Sequence, residues 1–164
     1  ALSPRGACHM QGDIYGVDTG QGPALELGIE PGDRFDDSQE KGRLVARHMS
    51  WRSLYNALIL CQFQNPGVQR VLRALEAVLG ESLQSADLLR YGVRIETRKR
   101  LINLRRGWTR ESERLPSVLT RSLPGATEGR VPDLQSLLAG AYAEFGWDLE
   151  TGAPLPETLR ALGV

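Results

Sequence analysis

Only two cysteines, Cys8 and Cys61, occur among the 164 residues, and neither sits in a CxxC pair. They are too few for a disulfide scaffold, and too few to supply the four ligands of a cubane iron–sulfur cluster from within the chain. Net charge is missing as well. Twenty basic residues balance twenty acidic ones, which removes the electrostatic case for nucleic acid or an anionic membrane as a partner. There is no apolar run long enough to span a bilayer and no secretory pattern at the start, so the compartment expected is the cytoplasm. The sequence also lacks a phosphate-cradling glycine loop, an HExxH motif and any Ser-His-Asp order, and so offers no self-contained active site. Sustained period-two alternation with β-branched residues is absent too, which argues against strands.

What remains is a chain of ordinary hydrophobic content, 41%, long enough for a proper core. Residues 1–35 are dense in glycine and proline and read as an ordered, loop-rich segment packed on something else. From 36 onward, residues 36–164 read as a helical domain. Leu44, His48, Trp51, Tyr55 and Leu58 recur at helical spacing, with Asp36 and Asp37 as caps and the Asn65-Pro66 step as the stop. A second helix follows Pro66, with Val68, Val71, Leu72, Leu75 and Leu79 inward and Gly80 at its end. A third spans about Ser85 to Arg106, with Leu88, Tyr91, Ile95 and Ile102 on one face and Gly107 closing it. Asp133 caps a fourth, which Gly146 ends, and a short last helix follows Pro156. The expected class is all-α, an irregular domain of five to six helices. The chain opens at Ala1, without methionine, and runs at once into a Cys-His pair; a fragment of a longer polypeptide is the expectation.

Three stretches carry candidate chemistry. In Arg5-Gly6-Ala7-Cys8-His9, the histidine is either a general acid or base or a hydrogen-bonded loop residue, and Cys8 is a nucleophile, a ligand or buried packing. Cys61, in Leu60-Cys61-Gln62-Phe63, is either a cluster ligand or a core thiol. The basic stretch Arg94, Arg98, Lys99, Arg100, Arg105, Arg106 and Arg110 has few interleaved aromatics and is mixed with Glu96, Glu111 and Glu113. It reads as a solvated helix face, or an interface to acidic groups of a neighbouring domain, rather than a nucleic-acid face.

The order of these segments resembles the aldehyde ferredoxin oxidoreductase family. Arg5 to His9 resembles the family's RGxCH segment, and Asn56-Ala57-Leu58-Ile59-Leu60-Cys61 stands where the family has DxxGLC. Tyr91-Gly92-Val93-Arg94-Ile95 with Leu104-Arg105-Arg106-Gly107, then Glu113-Arg114-Leu115-Pro116, then Tyr142, Gly146-Trp147-Asp148, Pro154 and Leu159 to Gly163 are similar to later family segments. The resemblance covers nearly the whole chain but only the C-terminal part of the family's. It implies an all-α fold like the family's C-terminal domain, with His9 beside a tungsten or molybdenum atom held by two pterins. It further implies Cys61 as the fourth ligand of a [4Fe–4S] cluster, and Asn56 and Leu60 in the segment that contacts one pterin.

Two departures stand out. Asn56 replaces the acidic residue and loses its charge. Ile59 replaces the glycine, and a β-branched residue there predicts that a positive φ or a close approach to cofactor is blocked. The implied reaction is oxidation of an aldehyde to a carboxylate, with electrons leaving through the cluster to ferredoxin. The remainder of the parent enzyme supplies the other pterin-binding and cluster residues, so the fragment alone is expected to bind no cofactor and to be inactive. The alternatives are a degenerate, non-catalytic domain acting as a packing or electron-transfer subunit, and a free-standing interaction module built on the arginine-rich helix.

Overall fold

The computed structural model describes Leu2, Ser3, Cys8 and residues 10–164. His9, and the Arg5-Gly6-Ala7 that precedes Cys8, lie outside the described residues. Six α-helices follow in order: α1 (Ile14–Asp18), α2 (Gln39–Ala57), α3 (Val68–Leu79), α4 (Ser85–Arg105), α5 (Leu134–Phe145) and α6 (Pro156–Leu162). Short 3-10 turns occur at Leu25–Leu27, Arg110–Ser112 and Ser117–Thr120. Among the described residues the only β-pairing is two isolated bridges, Ala24 with Ile29 and Trp147 with Pro154. The class is all-α. No helix among the described residues is long and apolar enough to cross a membrane.

Local chemistry sets the helix ends, not always as expected. The cap of α2 is Ser38, whose hydroxyl accepts from the Lys41 N–H at 3.2 Å. Asp36 instead accepts from the Ser38 N–H at 2.9 Å, and Asp37 from the Asp133 N–H at 2.8 Å, tying the start of α2 to that of α5. Asp133 does cap α5, accepting from Gln135 and Ser136. Gly80, Gly146 and Gly163 close α3, α5 and α6 in the left-handed conformation, which only glycine adopts without cost. The expected end of α2 at Asn65-Pro66 is corrected: the helix stops at Ala57.

α2 organises the packing. One side of it sends Trp51, Leu54 and Tyr55 into a cluster with Val17, Leu27 and Ile29 from the N-terminal segment and with Val68, Val71 and Leu88. The other side sends Ala46 and Met49 against Leu138, Ala141, Phe145 and Trp147. Glycine makes this possible. A Cβ on Gly92 of α4 would overlap the Ser50 carbonyl of α2; one on Gly42 would overlap the Leu137 carbonyl of α5; one on Gly140 would overlap the Gln39 carbonyl. The backbones meet directly at all three points.

The apolar stripe of α4 is buried at Leu88 and half-buried at Tyr91 and Ile95, but it does not stay inward to the end of the helix. Ile102 is 47% exposed, whereas Glu96, Thr97 and Arg100 are buried. Burial of charge is tolerable only with partners, and they are present. Arg100 donates to Glu113 at 2.6 Å, Tyr142 donates its hydroxyl to the same carboxylate, and the guanidinium lies over Trp108 and Trp147 at 3.9 and 4.4 Å. Burial, then the Glu113 contact, push the Tyr142 hydroxyl pKa well up. Lys99, Arg100 and Arg110 of the basic stretch thus meet acidic groups of this chain, while Arg98, Arg105 and Arg106 are exposed as a solvated face. Leu79 is also corrected, being 49% exposed, with Val78 at 82%.

The glycine contacts generate a prediction. Alanine in a helix interior is favoured over glycine by about 1 kcal/mol, but overpacking against a backbone that cannot retreat costs about 1–3 kcal/mol or more. Gly92→Ala and Gly140→Ala should each lower stability in urea unfolding. Gly67→Ser, where an added Cβ meets open space and the hydroxyl can cap α3, should be neutral or mildly stabilising.

Candidate functional site

Asn56, Leu60 and Cys61 share one turn at the end of α2, and the backbone of that turn is highly specified. The Leu60 N–H reaches the Tyr55 carbonyl at 3.0 Å and the Ile59 N–H the Asn56 carbonyl at 3.2 Å. This pair of bonds is a Schellman closure, which requires a left-handed residue just past the helix. Ile59 fills that place with φ of 57°. The expected block is therefore overturned: the backbone keeps the positive φ although the residue is β-branched. Its side chain is 92% exposed, so it meets nothing, and the cost is local strain of about 1–2 kcal/mol.

Past this turn, Leu60 returns to the core beside Tyr55, while Cys61 is exposed. The core-thiol reading of Cys61 is corrected by that exposure; Cys8 is half-buried. Asn56 is exposed and Phe63 is 94% exposed. Tyr55 pins the far end of the loop, donating its hydroxyl to the Pro66 carbonyl and to Asn65. Cys61 is thus held on an anchored turn with its thiol open to an outside partner, which fits a ligand donated to a group held mainly by other chain segments. Among the described residues, no group of three or more His, Cys, Asp or Glu side chains could hold a metal ion.

A cavity of about 320 Å³ adjoins this turn, lined by Met10, Asp13, His48, Arg52, Gln62 and Phe63, among others. It brings the residue after His9 close to the residue after Cys61. His48 and Arg52 stand one turn apart on α2, both buried. Burial, then the charge of Arg52, push the His48 pKa from 6.5 down to about 4, against the pull of Asp13 and Asp18. A larger cavity, about 560 Å³, lies around Phe35, Val45, Val118, Leu123 and Val131. Asn56, Leu60 and Cys61 are not among its lining residues.

The N-terminal segment is held near this cavity by a buried polar group. Gln11, two residues past His9, donates to Glu96 at 2.6 Å and to Ser53 at 3.0 Å. Ser53 donates to the same Glu96 oxygen, and Lys99 donates to Glu96 at 2.8 Å. Sequence reasoning missed Gln11, Ser53, Arg52 and the role of Glu96. The available signals were the acid inside the arginine-rich stretch and the His-Arg pair at i,i+4 spacing on the face of α2 that carries Trp51 and Tyr55.

Two outcomes follow from this geometry. Ile59→Gly relieves the left-handed strain and loses no buried surface, so it should raise stability by roughly 0.5–1 kcal/mol, the relief minus glycine's entropy; a loss of stability would contradict it. His48 binds its proton less readily folded than unfolded, so it contributes nothing to the pH dependence above about 6.5 and destabilises the fold as pH falls from there toward 4. The total is about 3 kcal/mol. Urea unfolding at pH 7, 5 and 4 should show this loss in the parent chain and lack it in His48→Gln.

The family model described as aldehyde ferredoxin oxidoreductase, domains 2 and 3, matches residues 1–164. A tungsten-containing aldehyde ferredoxin oxidoreductase of Pyrococcus abyssi is 30% identical over 100% of this chain. Proteins of the same description from Thermococcus kodakarensis and Pyrococcus horikoshii are each 29% identical over the same extent. The chain spans 27% of the length of each of these relatives. By the match along its whole length, the chain belongs to the aldehyde ferredoxin oxidoreductase family.

Proposed function

We propose that this chain is the C-terminal domain of a tungsten- or molybdenum-dependent enzyme that oxidises an aldehyde to a carboxylate. Residues 1–35 and 36–164 act together as one domain of it. The observation that carries this reading is the exposed Cys61 on a closed helix-end turn, with the positive φ kept at Ile59. A ligand for a shared cluster needs an accessible thiol on a rigid backbone. Cys61 meets that need as one ligand of a [4Fe–4S] cluster, the other three coming from the rest of the parent enzyme.

The turn from Asn56 to Cys61 would form the wall against one pterin, with the Asn56 amide in place of a carboxylate and Leu60 fixing the turn to the core. The exposure of Asn56, Ala57, Ile59 and Cys61 fits that role. When bound, the metal–pterin centre and the cluster supply two-electron oxidation and single-electron transfer to ferredoxin. His9 would stand beside the metal and hold or move a proton, and Gln11, locked by Glu96, holds the segment that carries it. The chain alone is inactive, and its working place is the cytoplasm. A second reading, a non-catalytic helical domain in a packing or electron-transfer role, is favoured by one observation: Asn56 lacks the charge that grips a pterin edge most strongly.

In the complete protein, Cys61→Ala should lower iron content and the sulfur-to-iron absorbance; unchanged iron would remove Cys61 from the ligand set. His9→Ala should lower turnover with metal content intact. Full activity in His9→Ala would retire the proton-transfer role, and a parent protein lacking iron, tungsten and molybdenum altogether would favour the second reading.

A further inference from the structure

Arg52 is only 8% exposed, yet among the described residues it makes no hydrogen bond and no ion pair; it lies over the face of Tyr55 at 5.3 Å and feels the charge of Asp13. Such a state is unusual, since a buried guanidinium presents five donors and is normally matched by a carboxylate or carbonyls. Arg52 is not among the residues with a fully sealed, unpartnered nitrogen, and it lines the cavity of about 320 Å³. Asp13 lines the same cavity and attracts Arg52 electrostatically without forming an ion pair, and Asp18 is engaged by Lys41 at 2.6 Å. His48 adds no positive charge at neutral pH.

The rest of the lining suits a small ligand with two ends. The side-chain amides of Gln21, Gln62 and Asn65 offer neutral donors, while Met10 and Phe63, 43% and 94% exposed, stand as apolar groups at its rim. A volume of this size matches a molecule of a few carbon atoms rather than a macromolecular segment. Arginine is the side chain best shaped for bidentate grip on a planar or tetrahedral oxyanion.

We infer that this cavity is an oxyanion site, in which Arg52 takes a carboxylate or phosphate group of a small molecule and the apolar rim at Met10 and Phe63 takes its carbon chain. Resting on the proposed function, the anionic group belongs to the substrate, an aldehyde that carries a negative charge away from its carbonyl. Arg52 then acts in specificity, not in the chemical step.

The test uses the complete protein, its Arg52→Gln variant and, to keep the charge while losing the planar fork, Arg52→Lys. Acetate and inorganic phosphate binding are measured by calorimetry at pH 7, and steady-state kinetics compare 4-oxobutanoate with the neutral butanal. Arg52→Gln should weaken anion binding by about tenfold or more, raise KM for 4-oxobutanoate by a similar factor and leave KM for butanal unchanged. Arg52→Lys should fall between, and it serves alone if Arg52→Gln does not fold. Anion binding equal in all three proteins overturns the site. Weakened anion binding with KM for the two aldehydes shifting alike overturns the substrate assignment, leaving a cofactor phosphate as the source. If neither aldehyde is oxidised by the parent protein while anion binding still depends on Arg52, the oxyanion site stands and the proposed function fails.

Discussion

Helix α2 touches α4 and α5 backbone to backbone, and most other features of the domain follow from that contact. At Gly42, Gly92 and Gly140 there is no room for a methyl group. Such close approach leaves little space for long side chains at the crossing points, so the core divides into two clusters on either side of α2. It also fixes where the end of α2 falls. The turn at Asn56–Cys61 is therefore a rigid extension of the most tightly held helix, and a rigid support is what a shared ligand or a cofactor wall requires.

Buried charge is the second organising feature, confined to a few residues. The Arg100–Glu113–Tyr142 group joins α4, the loop after it and α5, with Trp108 and Trp147 flanking the guanidinium. Several residues that resemble late family segments, namely Glu113, Tyr142 and Trp147, thus serve a common structural purpose. The Glu96–Ser53–Gln11 group does the same for the N-terminal segment. Arg52 differs from Arg100 in lining a cavity with no acid ion-paired to it.

Much of the fold was legible in the sequence because helix punctuation is local. Gly80, Asp133, Gly146 and Pro156 mark ends that depend on residues only a few positions away. The errors came where tertiary contacts decide. Leu88 begins the apolar stripe of α4 inside, but Ile102 at its end is exposed while Glu96 and Arg100 are buried, because Gln11 and Ser53, far away in sequence, and Glu113 in the following loop supply their partners. Ile59 was expected to forbid a left-handed backbone, but a helix closure with two hydrogen bonds outweighs a strain of about 1–2 kcal/mol when the side chain is free to point outward. For the site, Cys61 and Asn56 were visible through their order along the chain, whereas the cavity beside them depends on Met10, Arg52 and Phe63 meeting in space.

These observations support a division of labour within the proposed enzyme. This chain supplies an anchored thiol, an exposed turn and a polar cavity, while the metal chemistry draws on segments outside it. The most direct test is anomalous diffraction at the iron edge from crystals of the complete protein. The account predicts an iron peak at bonding distance from the Cys61 sulfur, with the Asn56–Cys61 turn against the cofactor; iron peaks remote from Cys61, or an exposed Cys61 in the assembled protein, would contradict it.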